Sequence, residues 1–166
     1  MKRKKKSTKA QSIVGTVPST ASFGAVIGVR NIAKACEFYQ EVLGFQLQFT
    51  LPRTDNELRL AVLKAGTSTL LLGRLDELHY EHATRARLIR KGPHGLGITL
   101  TLLVPDVDSI YAAARKARVE ILLEPTDEFY GDRVFMFVDP DGYEWKISQT
   151  IKIVSPEEVT KIDFQI

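Results

Sequence analysis

The chain has 166 residues, of which 44% are apolar and 26% are charged, proportions that are typical of an ordinary globular domain. No apolar run approaches the roughly 20 residues needed to span a bilayer, and the basic N-terminus is not followed by the apolar stretch of a secretory signal. The net charge of +3 comes from the first 21 residues, since residues 22–166 contain 17 basic and 20 acidic side chains.

The first segment, residues 1–21, is a basic tail. It carries six positive charges and no acidic residue, and a segment this polar cannot bury enough surface to fold by itself. We therefore expect a disordered leader, and nucleic acid is not the expected partner. Cys36 is the single cysteine, which excludes an intrachain disulfide and makes a reducing cytoplasm the expected location.

The next part of the chain predicts the order strand, helix and three strands. Asn31 is a suitable N-cap, because its side chain can accept a hydrogen bond from the first free amides of a helix over 32–43. Gly44 is the glycine that commonly follows a helix end. Apolar alternation and turn residues predict strands over 23–30, 45–51, 57–64 and 67–72, with a hairpin turn at Ala65-Gly66.

Residues 74–95 interrupt this pattern with many charged side chains and end in Gly92-Pro93-His94-Gly95, which predicts a surface helix or a long connection. The same order of elements then returns. Strands are predicted over 96–104, 119–123, 133–138 and 143–149, and a helix capped by Asp106 runs to about Ala117. Asp139-Pro140-Asp141-Gly142 predicts the turn before the last strand, and Ser155-Pro156 predicts the start of a short C-terminal helix.

The two halves superpose at an offset of 75 residues, at which Asn31 falls on Asp106. A repeated order of elements predicts two similar units, here a module over 22–73, a connection over 74–95 and a module over 96–149. Residues 150–166 form a C-terminal extension. The sequence thus predicts an α+β fold of two tandem β-α-β-β-β modules that form a curved mixed sheet around a cleft.

Alternate residues of a strand point to opposite faces, and the apolar sets, which include Ile27, Ile98, Leu100 and Trp145, are predicted to face the helices in the core. The predicted cleft lies on the sheet faces that the helices do not cover. These faces mix small, polar and charged side chains, as in a small-molecule cavity with a few fixed polar groups. The predicted ligand-cleft residues are Gly24, Val26, Thr69, Leu71, Thr99, Thr101, Glu144, Lys146, Ser148 and Arg133.

Two motifs resemble a known superfamily. Phe38-Tyr39 followed by Leu43-Gly44-Phe45 resembles the first-helix feature of vicinal oxygen chelate proteins, which include glyoxalase I, bleomycin and fosfomycin resistance proteins and extradiol dioxygenases. Tyr130-Gly131-Asp132-Arg133 leading to Asp139-Pro140-Asp141-Gly142 resembles the second-half signature. The resemblance covers about residues 22–149 and implies the glyoxalase-like fold and, in many members, a homodimer.

The resemblance also implies where a metal would bind. Enzymes of this superfamily hold a divalent cation through four inward-facing side chains, and the corresponding positions here are Gly24, Leu71, Thr99 and Lys146. None is a usual ligand for zinc, iron or manganese, and Lys146 would repel a cation. We therefore expect no cofactor, and a metal-independent binding protein that looks closer to the bleomycin resistance-like branch.

The alternative is a metal-dependent lyase, isomerase or dioxygenase with a shifted metal site, so the sequence leaves catalysis open. Its ligands would come from His79, His82, His94, Glu81 or Glu144. His79 and His82 are three residues apart and could share a helix face, although surface histidines are the simpler interpretation. Lys146 is predicted either to bind a ligand anion or to pair with Glu144, and Arg133 is either a cleft-rim cation or a surface charge.

Overall fold

The structure consists of two modules with the same order of elements. The computed structural model describes residues 24–53, 55, 57–79 and 81–159, and the predicted disordered tail, 1–21, lies outside the described residues. In chain order the elements are β1 Gly24–Val29, α1 Ile32–Leu43, β2 Gln46–Pro52, β3 Leu58–Ala65, β4 Ser68–Arg74, α2 Ala83–Lys91, β5 Thr99–Leu103, α3 Val107–Ala117, β6 Glu120–Asp127, β7 Asp132–Val138, β8 Glu144–Thr150 and α4 Pro156–Val159.

Each module contributes one mixed sheet of four strands. The orders are β1-β4-β3-β2 and β5-β8-β7-β6. In both sheets the first strand lies parallel to its one neighbour and the other pairs are antiparallel. The predicted α+β fold with two β-α-β-β-β modules is confirmed. The structure has two four-stranded mixed sheets where the sequence predicts one curved sheet. Within the described residues β1 and β5 are edge strands.

The two long helices begin at the predicted caps. The Asn31 side chain accepts a hydrogen bond from the Lys34 amide at 3.0 Å, and Gly44 ends α1 with a φ of 70°. The Asp106 side chain accepts from the Ser109 amide at 3.1 Å. Both caps satisfy amides that have no partner within the helix, so local sequence alone determines where α1 and α3 start.

Two strand predictions are wrong at their ends. β6 continues through Pro125 to Asp127 instead of ending at residue 123, because β6 is an edge strand with irregular register and an edge tolerates proline. β5 starts at Thr99 instead of residue 96, since the positive φ of Gly95 and Gly97 breaks the extended chain. Ile98, predicted to face the helix, is 59% exposed.

The helix-covered faces of both sheets meet in one hydrophobic core. α1 contacts α3 as well as its own sheet, and its Phe38 ring lies 6.3 Å from the Phe137 ring of β7. The Tyr39 ring lies 5.7 Å from Trp145 of β8. Tyr39, Phe137 and Trp145 are all buried. The opposite faces of the two sheets therefore point away from this core.

A buried carboxylate joins the two modules. Asp139 Oδ2 accepts hydrogen bonds from the Tyr39 hydroxyl at 2.6 Å and the Trp145 indole at 3.0 Å. Its Oδ1 accepts from the backbone amides of Asp141 and Tyr143, both at 2.9 Å. Burial and the adjacent Asp139 charge raise the pKa of Tyr39, so its hydroxyl stays protonated and donates. Each oxygen of Asp139 thus has two donors.

Candidate functional site

A cleft of about 800 Å³ lies between the edge strands β1 and β5 and the connecting segment that carries α2. This volume falls in the range of known small-molecule sites. Its walls are mainly apolar and include Ile27, Phe45, Leu70, Leu100, Leu102 and Trp145. An apolar cleft of this size can bury most of the surface of a small organic molecule.

The polar side chains of the cleft are few and are neutral or basic. They belong to Ser68, Thr69, His79, Arg85, His94, Thr99, Thr101 and Tyr143. Among the described residues that line the cleft, none is acidic. The site therefore has hydroxyl and cationic groups for orienting a ligand, but no carboxylate of its own.

The edge of β1 turns backbone groups toward the cleft. Gly28 donates its N–H to the Tyr143 hydroxyl at 3.0 Å. The Gly28 carbonyl accepts a hydrogen bond from the same hydroxyl, also at 3.0 Å. Both Gly28 groups thus point away from β4. In a parallel pair, the N–H and C=O of one residue point to the same side of the strand, and those of the next residue point to the other side. The N–H and C=O groups of Gly24 and Val26 therefore also point to the free edge.

The edge of β5 is arranged in the same way. Val104 donates its N–H to Ser148 of β8 at 2.9 Å, so the alternation directs the backbone groups of Thr99 and Thr101 away from β8. Both threonines line the cleft. The cleft is thus bordered by two strand edges whose N–H and C=O groups can bind a polar ligand atom.

Half of the predicted cleft residues lie in this cleft and half do not. Gly24, Val26, Thr69, Thr99 and Thr101 line it, whereas Leu71, Glu144, Lys146, Ser148 and Arg133 are not part of its wall. Leu71 and Lys146 lie on the central strands β4 and β8. They belong to the outward faces, one strand away from the free edges.

The predicted pairing of Lys146 with Glu144 is replaced by a tyrosine contact. The Lys146 ammonium donates to the Tyr130 hydroxyl at 2.9 Å and lies 5.2 Å from the centre of that ring. Glu144 instead accepts a hydrogen bond from the Thr99 hydroxyl at 2.5 Å. The outward face of the second sheet thus carries two separate polar pairs rather than a lysine–glutamate pair.

Arg133 and Ser148 are engaged with carboxylates outside the cleft. The Arg133 guanidinium forms ion pairs with Asp108 at 3.0 Å and with Asp127 at 2.6 Å, which corresponds to the surface-charge interpretation. Ser148 donates to Asp132 at 2.7 Å.

The four positions that the resemblance assigns to metal ligands do not fit a metal. Gly24 has no side chain, Leu71 no donor atom, and Lys146 a positive charge, so only the Thr99 hydroxyl is left. Over the ranges that the structure describes, no group of three or more His, Cys, Asp or Glu side chains could hold an ion.

The histidines considered for a shifted metal site are dispersed. His79 lies in a turn with a φ of 55°, and His82 is the residue before α2, so the two do not share a helix face. Their ring centres are 6.4 Å apart, and His82 approaches Glu81 at 4.0 Å. The His94 ring contacts the Ile89 carbonyl instead.

An apolar row crosses the outward face of the first sheet. The strand registers align Phe49 with Val62, Val62 with Leu71, and Leu71 with Val26, which gives one apolar row across four strands. Val26 is 61% and Phe49 54% exposed. A continuous exposed row of this kind is typical of an interaction surface.

The cleft includes residues that the sequence analysis did not select. Ile27, Leu100 and Trp145 were assigned to the core, yet they border the cleft where the two modules separate. Arg85 was treated as one of many surface charges. Its signal in the sequence was the absence of acidic residues from 82 to 105, a span that includes the whole of α2.

Comparisons with known proteins agree with this architecture. The family model of the Glyoxalase/Bleomycin resistance protein/Dioxygenase superfamily matches residues 21–147. An uncharacterized protein of Mycobacterium bovis is 26% identical over 134 residues, which cover 79% of this chain and 84% of the relative. An uncharacterized protein of Mycobacterium tuberculosis is also 26% identical over 134 residues, which cover 79% of this chain and 75% of that relative.

Solved structures share the fold at low sequence identity. TioX from Micromonospora sp. ML1 matches with a TM-score of 0.60 and 18% identity, over 78% of this chain and 98% of TioX. TnmS3, an antibiotic binding protein from Streptomyces sp. CB03234, matches with a TM-score of 0.58 and 23% identity, over 81% of this chain and 99% of TnmS3. Each likeness extends over both modules.

Proposed function

Because the chain belongs to the Glyoxalase/Bleomycin resistance protein/Dioxygenase superfamily, we propose that it is a metal-independent protein that binds a small organic molecule. The observation that carries the proposal is the apolar cleft of about 800 Å³ between β1 and β5. A ligand there would bury its apolar body against Phe45, Leu100 and Trp145. The free edges of β1 and β5 would orient its polar atoms.

The chemistry at the family's metal positions supports binding without a metal. Gly24, Leu71 and Lys146 supply no ligand atom for a cation. The antibiotic binding described for TnmS3 supports the same class of function, since that protein has the same fold. We propose a cytoplasmic location for this chain, because its single cysteine, Cys36, is free and fits a reducing compartment. Among the described helices none has the length and apolar character that a membrane crossing requires.

Thermal-shift screening of an organic-molecule library with purified full-length protein tests this function. A ligand present at 100 times its Kd is expected to stabilise the fold by about 2.7 kcal/mol. Thr101→Trp, which adds a large side chain at the cleft wall, should abolish the shift. Thr150→Trp lies at the exposed end of β8 outside the cleft and should preserve it.

Metal analysis of the same protein, purified without a metal-affinity tag, separates binding from metal-dependent catalysis. We expect substoichiometric metal and a ligand shift that EDTA leaves unchanged. One firmly bound metal ion per chain would overturn metal independence and favour the lyase, isomerase or dioxygenase alternative.

We also propose that a second copy of the chain covers the outward face of the first sheet. The row of Phe49, Val62, Leu71 and Val26 is apolar and self-complementary in kind, as a two-fold interface requires. Leu51 extends it and is 47% exposed. Burying this row would remove apolar surface that water otherwise contacts.

Sedimentation velocity tests the homodimer. The native protein is expected to sediment as a dimer, and Phe49→Lys should shift it to monomer, because a lysine ammonium cannot be buried against an apolar row without a partner. Thr150→Lys, at an exposed position in the second sheet, should leave the dimer intact. A native protein that is monomeric at micromolar concentration would contradict this interface.

A further inference from the structure

The part of the chain that carries α2 and β5 differs in charge from the rest of the domain, including the acidic start of the connecting segment at Asp76, Glu77 and Glu81. Residues 82–105 contain four basic residues, Arg85, Arg87, Arg90 and Lys91, and no acidic one. The rest of residues 22–166 contains 13 basic and 20 acidic residues. The segment that borders the cleft therefore creates a local positive field on an otherwise acidic domain, and such a field concentrates anions.

Within this segment Arg85 reaches the cleft. Arg85 is one of the residues that line the cleft, together with Leu88 and Ile89 of the same helix. Several other arginines of the chain are held by carboxylates: Arg74 pairs with Asp76 at 3.0 Å and Arg133 with Asp127 at 2.6 Å. Arg87, Arg90 and Arg118 form no such pair among the described residues, but they do not line the cleft. In the described part of the chain no carboxylate pairs with Arg85. Its guanidinium keeps its fork of donors for a bidentate acidic group.

The rest of the cleft favours an anion over a cation. No acidic side chain lines the described cleft, so a bound cation would lose its hydration without gaining a counter-charge. Glu144 is outside the wall, and its carboxylate accepts a hydrogen bond from the hydroxyl of the cleft residue Thr99. The free-edge backbone N–H groups of Val26 and Thr101 add donors, which stabilise negative charge.

We infer that the ligand is an organic anion with an apolar body, whose acidic group binds Arg85 and whose body packs between β1 and β5. This inference rests on the proposed binding function and adds the chemical class of the ligand. The acidic group is a carboxylate, sulfonate or comparable oxyanion, since those groups match the two parallel N–H bonds of a guanidinium.

Two matched fluorescent probes test this class. 8-Anilinonaphthalene-1-sulfonate carries a sulfonate, and N-phenyl-1-naphthylamine has the same ring system without the charge. For the full chain we expect the sulfonate to bind about tenfold more tightly, an effect consistent with one hydrogen-bonded charge pair. Added salt should weaken the binding of the sulfonate probe and leave the binding of the neutral probe unchanged.

Substitution of Arg85 assigns the effect to one side chain. Arg85→Gln is expected to weaken the sulfonate about tenfold and the neutral probe less than about twofold. Arg87→Gln is the matched control, because Arg87 lies on the same helix but outside the cleft wall. It removes the same charge and should change neither probe more than about twofold. Circular dichroism confirms that both variants keep the native fold.

The outcomes separate this inference from the proposed function. If Thr101→Trp blocks both probes but Arg85→Gln affects neither selectively, the cleft binds organic molecules and the anion inference is overturned. The same conclusion follows if Arg87→Gln weakens the sulfonate as much as Arg85→Gln does. If Thr101→Trp leaves both probes bound with native affinity, they bind elsewhere, and both proposals fail.

Discussion

Asp139→Asn is expected to lower the free energy of unfolding by about 4 kcal/mol. The carboxylate accepts four hydrogen bonds, two at each oxygen. An asparagine amide keeps one oxygen in either orientation, so two donors would face its NH₂ group instead of an acceptor. Each buried donor left without a partner costs about 1–3 kcal/mol, which gives the expected total.

Urea denaturation followed by circular dichroism measures this loss. Asp108→Asn is the matched control: it removes the same charge from an exposed ion pair with Arg133, where little stability is lost. Tyr39→Phe removes only one of the four donors and should cost about 1.5–3 kcal/mol. A loss for Asp139→Asn that does not exceed the loss for Asp108→Asn would contradict the buried network.

The same network links stability to the cleft. Trp145 donates to Asp139 and also lines the cleft, and Tyr39 brings α1 of the first module to this carboxylate. The turn that contains Asp139 leads directly into Tyr143, whose hydroxyl binds the edge of β1. We therefore expect ligand binding to weaken in Asp139→Asn at temperatures where the variant is still folded.

Local signals in the sequence were sufficient for the elements but not for their arrangement. Asn31, Gly44 and Asp106 act within a few residues along the chain, so the helix ends could be predicted from side-chain chemistry. The repeat predicted two equal modules. It could not predict that both helices share one core, because packing between modules depends on contacts such as Phe38 with Phe137, which are distant in sequence.

The candidate site shows the same limit. Alternation predicted that Gly24 and Thr99 leave the helix-covered face, and both line the cleft. Alternation also selected Leu71 and Lys146. They lie on the same outward faces, but on the central strands β4 and β8, away from the opening of the cleft. The same alternation predicts that Trp145 packs in the core. Only the separation of the two sheets turns one side of it into a cleft wall.

Gly131→Ala is expected to lower the free energy of unfolding by about 3–5 kcal/mol, the combined cost of backbone strain and overpacking. Gly131 has a φ of 95°, which a residue with a Cβ rarely adopts. A Cβ there would lie 2.0 Å from the Lys152 carbonyl oxygen. The Gly131 carbonyl also accepts the amides of Ile151 and Lys152, both at 2.9 Å, so the two backbones cannot separate without losing these bonds.

Gly66→Ala is the matched control, because Gly66 also has a positive φ, 57°, but no atom lies within 4 Å of the position its Cβ would take. Strain alone should cost about 1–2 kcal/mol there. The difference between the two urea midpoints therefore isolates the close approach of Lys152. Equal losses would mean that the segment after β8 moves aside, and the adjacent contact of Tyr130 with Lys146 would then change.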